Sequence, residues 1–391
     1  MSLLPLATET WDAAEQEAIQ RVIATGRFTM GPEVKAFEVQ FAEHFGSKYA
    51  VMVNSGSSAN LLMLAGLLYH QGLDIKPGDE VIVPAVSWST TYYPVHQLGL
   101  DLRFVDIDAD TLNLDVERVA EAITPRTKAV LAVNLLGNPC ELAKLKALCD
   151  ARGLVLLEDN CESMGALLDG RQAGSWGLAG TFSTFFSHHI STMEGGVVIT
   201  NDEDLYHIFL SLRAHGWLRE QPAHSKLNVE VDDFMRQFRF VLPGYNLRPL
   251  EMSGAIGQEQ LRKLPGLVAA RRENARTFQS LFSNHPGVQI QAETGESSWF
   301  GFALVMRGPL EGRRADLNLA LREAGVDTRP IVAGNFVNNP VISHLRHSVS
   351  GNLDAADRID QEGLFFGNHH YPVSEALSRC REIVDKVAGA A

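Results

Sequence analysis

The chain has no lysine between Lys146 and Lys226. It is also poor in cysteine. The four thiols, Cys140, Cys149, Cys161 and Cys380, form no CxxC pair and have no histidine-rich companion segment. That spacing excludes zinc-finger and iron–sulfur ligation, so no metal is expected and the thiols are expected to be buried. Positive charge is in deficit: 34 Lys and Arg against 47 Asp and Glu leave a net −13. A nucleic-acid surface or an anionic membrane needs clustered cations, so neither is an expected partner, and any anionic ligand must be held by local groups. No apolar run approaches the roughly 20 residues of a bilayer span. The opening MSLLPLATETWDAAEQ is too short and too acidic for a signal peptide. A cytoplasmic location is expected.

What is present is an ordinary globular composition, 45% hydrophobic and 21% charged, in 391 residues. That length can bury a large core and exceeds a typical single domain. From residue 50 onward short apolar runs (AVMVN, EVIVPA, LRFVDID, KAVLAVN, LVLLED) alternate with helical patterns such as ANLLMLAGLLYH and CELAKLKALCDARG. Apolar strands separated by helices are what a parallel sheet covered on both faces requires. The fold class expected is α/β, with a mostly parallel sheet in a large domain over residues 1–248 and a smaller α+β domain over 249–391. The smaller domain should hold a helix from Pro249 to about Lys263 and a second near AARRENARTFQSLF. A strand WFGFALVM, a helix ADLNLALREAG and a terminal helix from about Ser374 should follow.

Four short stretches carry chemistry. VNSGSSAN, residues 53–60, leaves an apolar strand and opens an apolar helix, gathering free N–H groups at a helix N-terminus where phosphate binds; simple helix capping is the alternative. LVLLEDNCES places Asp159 just past a buried strand, where a carboxylate can pair with a protonated ring nitrogen or merely cap a loop. PAVSWSTTYYP puts Trp88 in the same relation to the strand EVIVP, either covering a flat ligand or filling an interface or core. STFFSHHISTMEGG brings Ser183, His188 and His189 together.

In that order, these stretches resemble the fold type I pyridoxal phosphate enzymes of the nucleotide-sugar aminotransferase family. The likeness runs nearly end to end, from TGRFTMGPEVKAFEVQFAEHFGSKYAVMVNSGSSANLL to LPGYNLRPLEMSGAIGQEQL. It implies that Gly56, Ser57 and Ser183 hold the phosphate, Trp88 covers the ring and Asp159 pairs with the pyridine nitrogen. Glu162 stands where a glutamine usually meets the 3-hydroxyl, and Asn246 where an asparagine reaches the phosphate of the neighbouring subunit. A homodimer with sites at the interface is therefore implied. The chain departs from the family at one position, since the lysine that tethers the cofactor aligns with His188.

Histidine cannot form that covalent bond, but it can exchange a proton near neutral pH. His188 is expected to be the catalytic base, with His189 the candidate if the alignment slips by one; a structural histidine is the alternative. Two histidine-bearing dehydratase subgroups exist in the family. One, acting on a CDP-linked sugar, needs an iron–sulfur centre that the cysteine spacing here rules out. The other acts on GDP-linked 4-keto-6-deoxy-D-mannose in colitose-type deoxysugar synthesis, and FVDIDADTLNLD, SHHISTMEGG, RAHGW and RPIVAGNF resemble it. That resemblance implies removal of the C3 hydroxyl by pyridoxamine phosphate, regenerated with L-glutamate and releasing ammonia and 2-oxoglutarate. A true nucleotide-sugar aminotransferase is the rival.

Arg248 in YNLRPLE is a candidate carboxylate or substrate clamp, or else an ion-pair partner of Glu251. Arg329 and His215 are further candidates for substrate contact. Glu162 can donate to a phenolate oxygen only if burial keeps it protonated; turned away, it would form an ordinary salt bridge.

Overall fold

The computed structural model describes residues 2–389. An amino-terminal segment forms two helices, α1 (Ala13–Thr25) and α2 (Pro32–His44). Asp12 begins α1 with a reciprocal cap: its carboxylate accepts from Ala14 N, while Glu15 Oε2 accepts from Asp12 N at 2.8 Å. The chain then alternates β1 (Tyr49–Val53), α3 (Gly56–Leu67), β2 (Glu80–Pro84), α4 (Ser89–Gln97), β3 (Asp101–Val105), α5 (Val116–Ala122), β4 (Thr127–Val133), α6 (Leu142–Arg152) and β5 (Val155–Asp159). A two-strand ribbon, β6 (Leu167–Leu168) with β7 (Arg171–Gln172), precedes β8 (Ala179–Ser183), β9 (Gly196–Thr200), α7 (Glu203–Arg213) and α8 (Asp233–Arg236). The remainder is α9 (Glu251–Phe282), β10 (Val288–Ile290), β11 (Gly301–Met306), α10 (Arg314–Glu323), β12 (Thr328–Arg329), β13 (His347–Val349), α11 (Asp354–Glu362), β14 (Gly363–Gly367) and α12 (Ser374–Gly389).

Eight strands make the large sheet in the order β1-β9-β8-β5-β4-β2-β3-β13. Every neighbouring pair is parallel except those made by β9, which runs against both β1 and β8. β2, β8 and β9 are buried at every residue, because helices cover both faces. Since β1 and β8 both oppose β9, the carboxyl ends of β1, β2, β4, β5 and β8 lie along one edge. An open α/β sheet binds its ligands at that edge.

The smaller sheet, β10-β11-β14-β12, is antiparallel throughout. It packs against the second half of α9, where the Phe278 and Phe302 rings stack with centroids 4.4 Å apart. The two helices expected on either side of Lys263 are a single 32-residue helix running through Pro265. Proline removes one hydrogen bond and normally ends a helix. Here α1 and α2 pack on the first half of α9 and α12 on the second, so tertiary contact on both sides holds the helix continuous. The two expected domains also interlock. β13, from the carboxyl-terminal portion, joins the large sheet beside β3, with His347 opposite Leu102.

Candidate active site

A cavity of about 300 Å³ opens at the carboxyl edge of the large sheet. Gly56, Ser57, Trp88, Asp159, Glu162, Ser183, His188 and Arg329 all line it. All but Arg329, which ends β12 of the smaller sheet, sit at the end of a large-sheet strand or in the turn or helix start that follows it, so the large sheet sets their spacing.

The phosphate-type corner is built at the start of α3. Ser55 caps that helix, its Oγ accepting from Ser58 N at 3.1 Å, so the capping role falls to Ser55 and leaves Gly56 and Ser57 at the first turn facing the cavity. A Cβ on Gly56 would stand 2.7 Å from the Cβ of Ser183 and 3.1 Å from Cys161 Sγ. Only glycine lets α3 approach β8 this closely, and the Ser183 hydroxyl thereby joins the free N–H groups of the helix start.

Asp159 is held rigidly. Its Oδ2 accepts from Asn60 Nδ2 at 2.7 Å and from Thr91 Oγ1 at 2.8 Å, while Oδ1 accepts from Cys161 N at 3.2 Å. These donors fix the orientation of the carboxylate at the cavity floor. Trp88 sits at the start of α4, 57% exposed on the cavity rim, with a flat face free for stacking.

The two histidines part company. His188 faces the cavity, with its ring 5.3 Å from that of Phe300 and its Nδ1 buried without a partner. His189 turns into the core, fully buried, with Nε2 against the Ser298 carbonyl at 3.2 Å. The register offered by the alignment is the one the fold places at the site. Burial, aided by the cations Arg329 and Arg271, pushes the His188 pKa down to about 4. A neutral imidazole able to accept a proton is the result.

Glu162 receives Leu136 N at 3.1 Å on Oε2, and among the described residues no salt bridge takes it away from the cavity. Burial raises its pKa above the usual carboxylate value, against the pull of Arg329 and the Leu136 amide and with the help of Asp159. Arg329 is not a surface residue. It lies over the Phe365 ring at 4.7 Å, and its Nε is buried without a partner.

Three expected residues lie elsewhere. Asn246, Arg248 and His215 cluster around Trp217, away from the cavity wall of their own chain. Arg248 Nε donates to Asn246 Oδ1 at 3.0 Å, its guanidinium lies 5.4 Å from the Trp217 ring, and the His215 ring is 4.7 Å from that indole. The ion pair of Arg248 with Glu251 does not form, because Glu251 is buried and accepts from Glu33 N at 2.8 Å at the start of α2. Of the cysteines, Cys140, Cys149 and Cys380 are buried as expected, but Cys161 is half-buried on the cavity wall. It follows Asp159 too closely to leave the edge of the sheet. Sequence reasoning also missed Asn60 and Thr91, the donors to Asp159. An asparagine within the apolar helix ANLLMLAGLL was the available signal.

This donor set fits a phosphorylated pyridine. It offers a glycine-lined helix start with two hydroxyls at one end, a fixed carboxylate for a ring nitrogen, and the unpartnered polar atoms of His188 and Arg329 beyond it. The comparisons agree. The DegT/DnrJ/EryC1/StrS aminotransferase family pattern matches residues 9–387. GDP-4-keto-6-deoxy-D-mannose 3-dehydratase of Yersinia pseudotuberculosis is 56% identical over 385 residues, covering 98% of both chains. The enzyme of that name from Escherichia coli O55:H7 is 53% identical, covering 97% of this chain and 99% of that one. A solved structure of the E. coli GDP-4-keto-6-deoxy-D-mannose-3-dehydratase with bound hydrated PLP matches with a TM-score of 0.96 and 53% identity, covering 98% of this chain and 100% of that one. Another, with a trapped PLP-glutamate geminal diamine, matches at 0.95 and 53% identity, covering 97% and 100%. The chain belongs to the DegT/DnrJ/EryC1/StrS aminotransferase family.

Proposed function

We propose that this chain removes the C3 hydroxyl of GDP-4-keto-6-deoxy-D-mannose to give GDP-4-keto-3,6-dideoxy-D-mannose. The cofactor is pyridoxal phosphate, used as pyridoxamine phosphate and regenerated by L-glutamate, with release of ammonia and 2-oxoglutarate. The observation that carries the reading is His188: a neutral imidazole lines the cavity where the family carries its covalent lysine. Bound, the cofactor supplies a protonated pyridine ring that draws electrons away from the carbon carrying its nitrogen.

The chain's own groups do the rest. Gly56, Ser57 and Ser183 hold the phosphate, and Trp88 covers the exposed ring face. Asp159, oriented by Asn60 and Thr91, pairs with the protonated ring nitrogen. His188 moves a proton at the carbon carrying the cofactor's nitrogen in both half-reactions, and hands one to the departing C3 hydroxyl. A protonated Glu162 donates to the ring's 3-oxygen. Arg329 offers its unpartnered Nε to glutamate's carboxylate or to the sugar nucleotide. Asn246, Arg248 and His215 serve the cavity of a second copy, in a homodimer. The apolar side chains Phe234, Phe238 and Phe240, all more than half exposed between His215 and Asn246, are the surface such a copy would cover.

The test is to incubate the enzyme with L-glutamate and the keto sugar and to follow ammonia and the product mass together. Stoichiometric ammonia with a sugar one oxygen poorer is expected. A stable amino sugar formed without ammonia would instead identify an aminotransferase.

A further inference from the structure

On the far side of the large domain, two histidines and a glutamate converge without any role in the chemistry above. Glu203 and His207 are four residues apart on α7, so their side chains stack on one face of the helix. His224 comes from the loop that follows. That loop is pinned to the helix by Gln221 Nε2, which donates to the His207 carbonyl at 2.9 Å, and by Ser225 Oγ, which donates to Gln221 Oε1 at 2.8 Å. One donor atom from each of the three residues lies within 4.8 Å of the others.

We propose that Glu203, His207 and His224 bind one divalent transition-metal ion of the zinc class, clipping the loop after α7 to the helix. Zinc takes imidazole and carboxylate ligands at about 2.0–2.2 Å in a tetrahedron, which sets neighbouring ligand atoms about 3.3 Å apart. Glu203 Oε1 and His224 Nε2 already stand 3.3 Å apart. His207 is 3% exposed, and its Nδ1 has no hydrogen-bond partner. Tyr49 Oη donates to Glu203 Oε1 at 3.0 Å, the kind of outer partner that orients a ligating carboxylate. The neighbouring set His70, Asp202 and Asp204 is a poorer site, because Lys226 pairs with Asp204 at 2.5 Å and Asp202 caps α7 through Leu205 N at 2.8 Å. Glu203 and His224 are both more than half exposed, so the ion can enter from solvent and water can complete its coordination.

The clip ties down the loop from which the chain runs on to Asn246 and Arg248, while its ligands line no part of the cavity. Its loss should therefore loosen the structure without touching the chemistry. The experiment uses the pyridoxal phosphate-loaded enzyme, treated with chelator, desalted and titrated calorimetrically with zinc chloride in a non-coordinating buffer. One zinc per chain should bind and raise the unfolding temperature. In His224→Ala the affinity should fall at least about tenfold, the loss that removing even a supporting partner of a ligand causes. The zinc-dependent rise in unfolding temperature should vanish with it. Glu203→Gln should behave alike. Because both side chains are exposed, these variants should fold and keep the metal-free dehydration rate. Absence of a saturable site in the parent enzyme overturns the proposal. So does equal binding by the parent and His224→Ala, which would put the metal elsewhere.

Discussion

The depressed basicity of His188 can be read directly by its reaction with diethyl pyrocarbonate, which attacks only the neutral imidazole. With a pKa of about 4, about 97% of the His188 rings are neutral at pH 5.5, whereas an ordinary histidine of pKa about 6.5 would be only about 9% neutral there. The sign follows from the causes. Burial and the cations Arg329 and Arg271 all penalise the charged ring, so protonation is postponed to lower pH and the neutral base persists through the acid range. Cofactor-free enzyme would be treated at pH values from 5.0 to 7.0, quenched, reloaded with pyridoxal phosphate and assayed for dehydration. The activity readout isolates the cavity from the other histidines among the 13 in the chain. The inactivation rate should be nearly flat from pH 7.0 to 5.5. A fall of about eightfold over that interval would mean an ordinary, water-exposed imidazole and would refute the reasoning. Arg329→Met sharpens the test. Burial is the larger cause and remains, so losing the guanidinium should raise the His188 pKa only in part, and the fall in rate toward pH 5.0 should be steeper than in the parent yet shallower than for an ordinary imidazole.

Glu162→Gln should keep dehydration within about threefold of the parent, because an amide preserves the donor that a protonated carboxyl supplies. Glu162→Ala should lose about tenfold, the worth of one hydrogen bond. If Gln were as damaging as Ala, the ionised form would be the working one. Gly56→Ala drives a methyl to 2.7 Å from the Cβ of Ser183. It should weaken pyridoxal phosphate binding, read by absorbance titration, and an unchanged affinity would remove that corner from the phosphate site. Mixing His188→Ala with Asn246→Ala chains after denaturation and refolding should restore activity in mixed dimers, each with one intact cavity. If the mixture stays as inactive as its components, Asn246 serves its own chain.

The site was legible largely because sheet topology did the collecting. Gly56, Trp88, Asp159 and Ser183 each stand just past an apolar run, and a mostly parallel sheet must bring such positions to one edge, whatever the distance along the chain. What could not be read was whatever depends on side-chain partners across that edge. Asn60 and Thr91 fix Asp159 from two different helices, and nothing in either segment alone announces a shared acceptor 99 and 68 residues away. The same limit explains α9. Pro265 marks a break in any local reading, yet α1, α2 and α12 come from opposite ends of the chain to support the helix through it. Local propensity was outweighed there by packing that only the folded chain supplies. His188 combines both cases: its place at the cavity was expected from its alignment with the family's lysine, but its basicity was not. Burial in the closed-up interior and, after it, Arg329 and Arg271, distant in sequence, lower it. The residue that replaces the lysine could be named from the sequence, while the burial that, with two arginines behind it, holds the ring neutral well into the acid range is supplied only by folding.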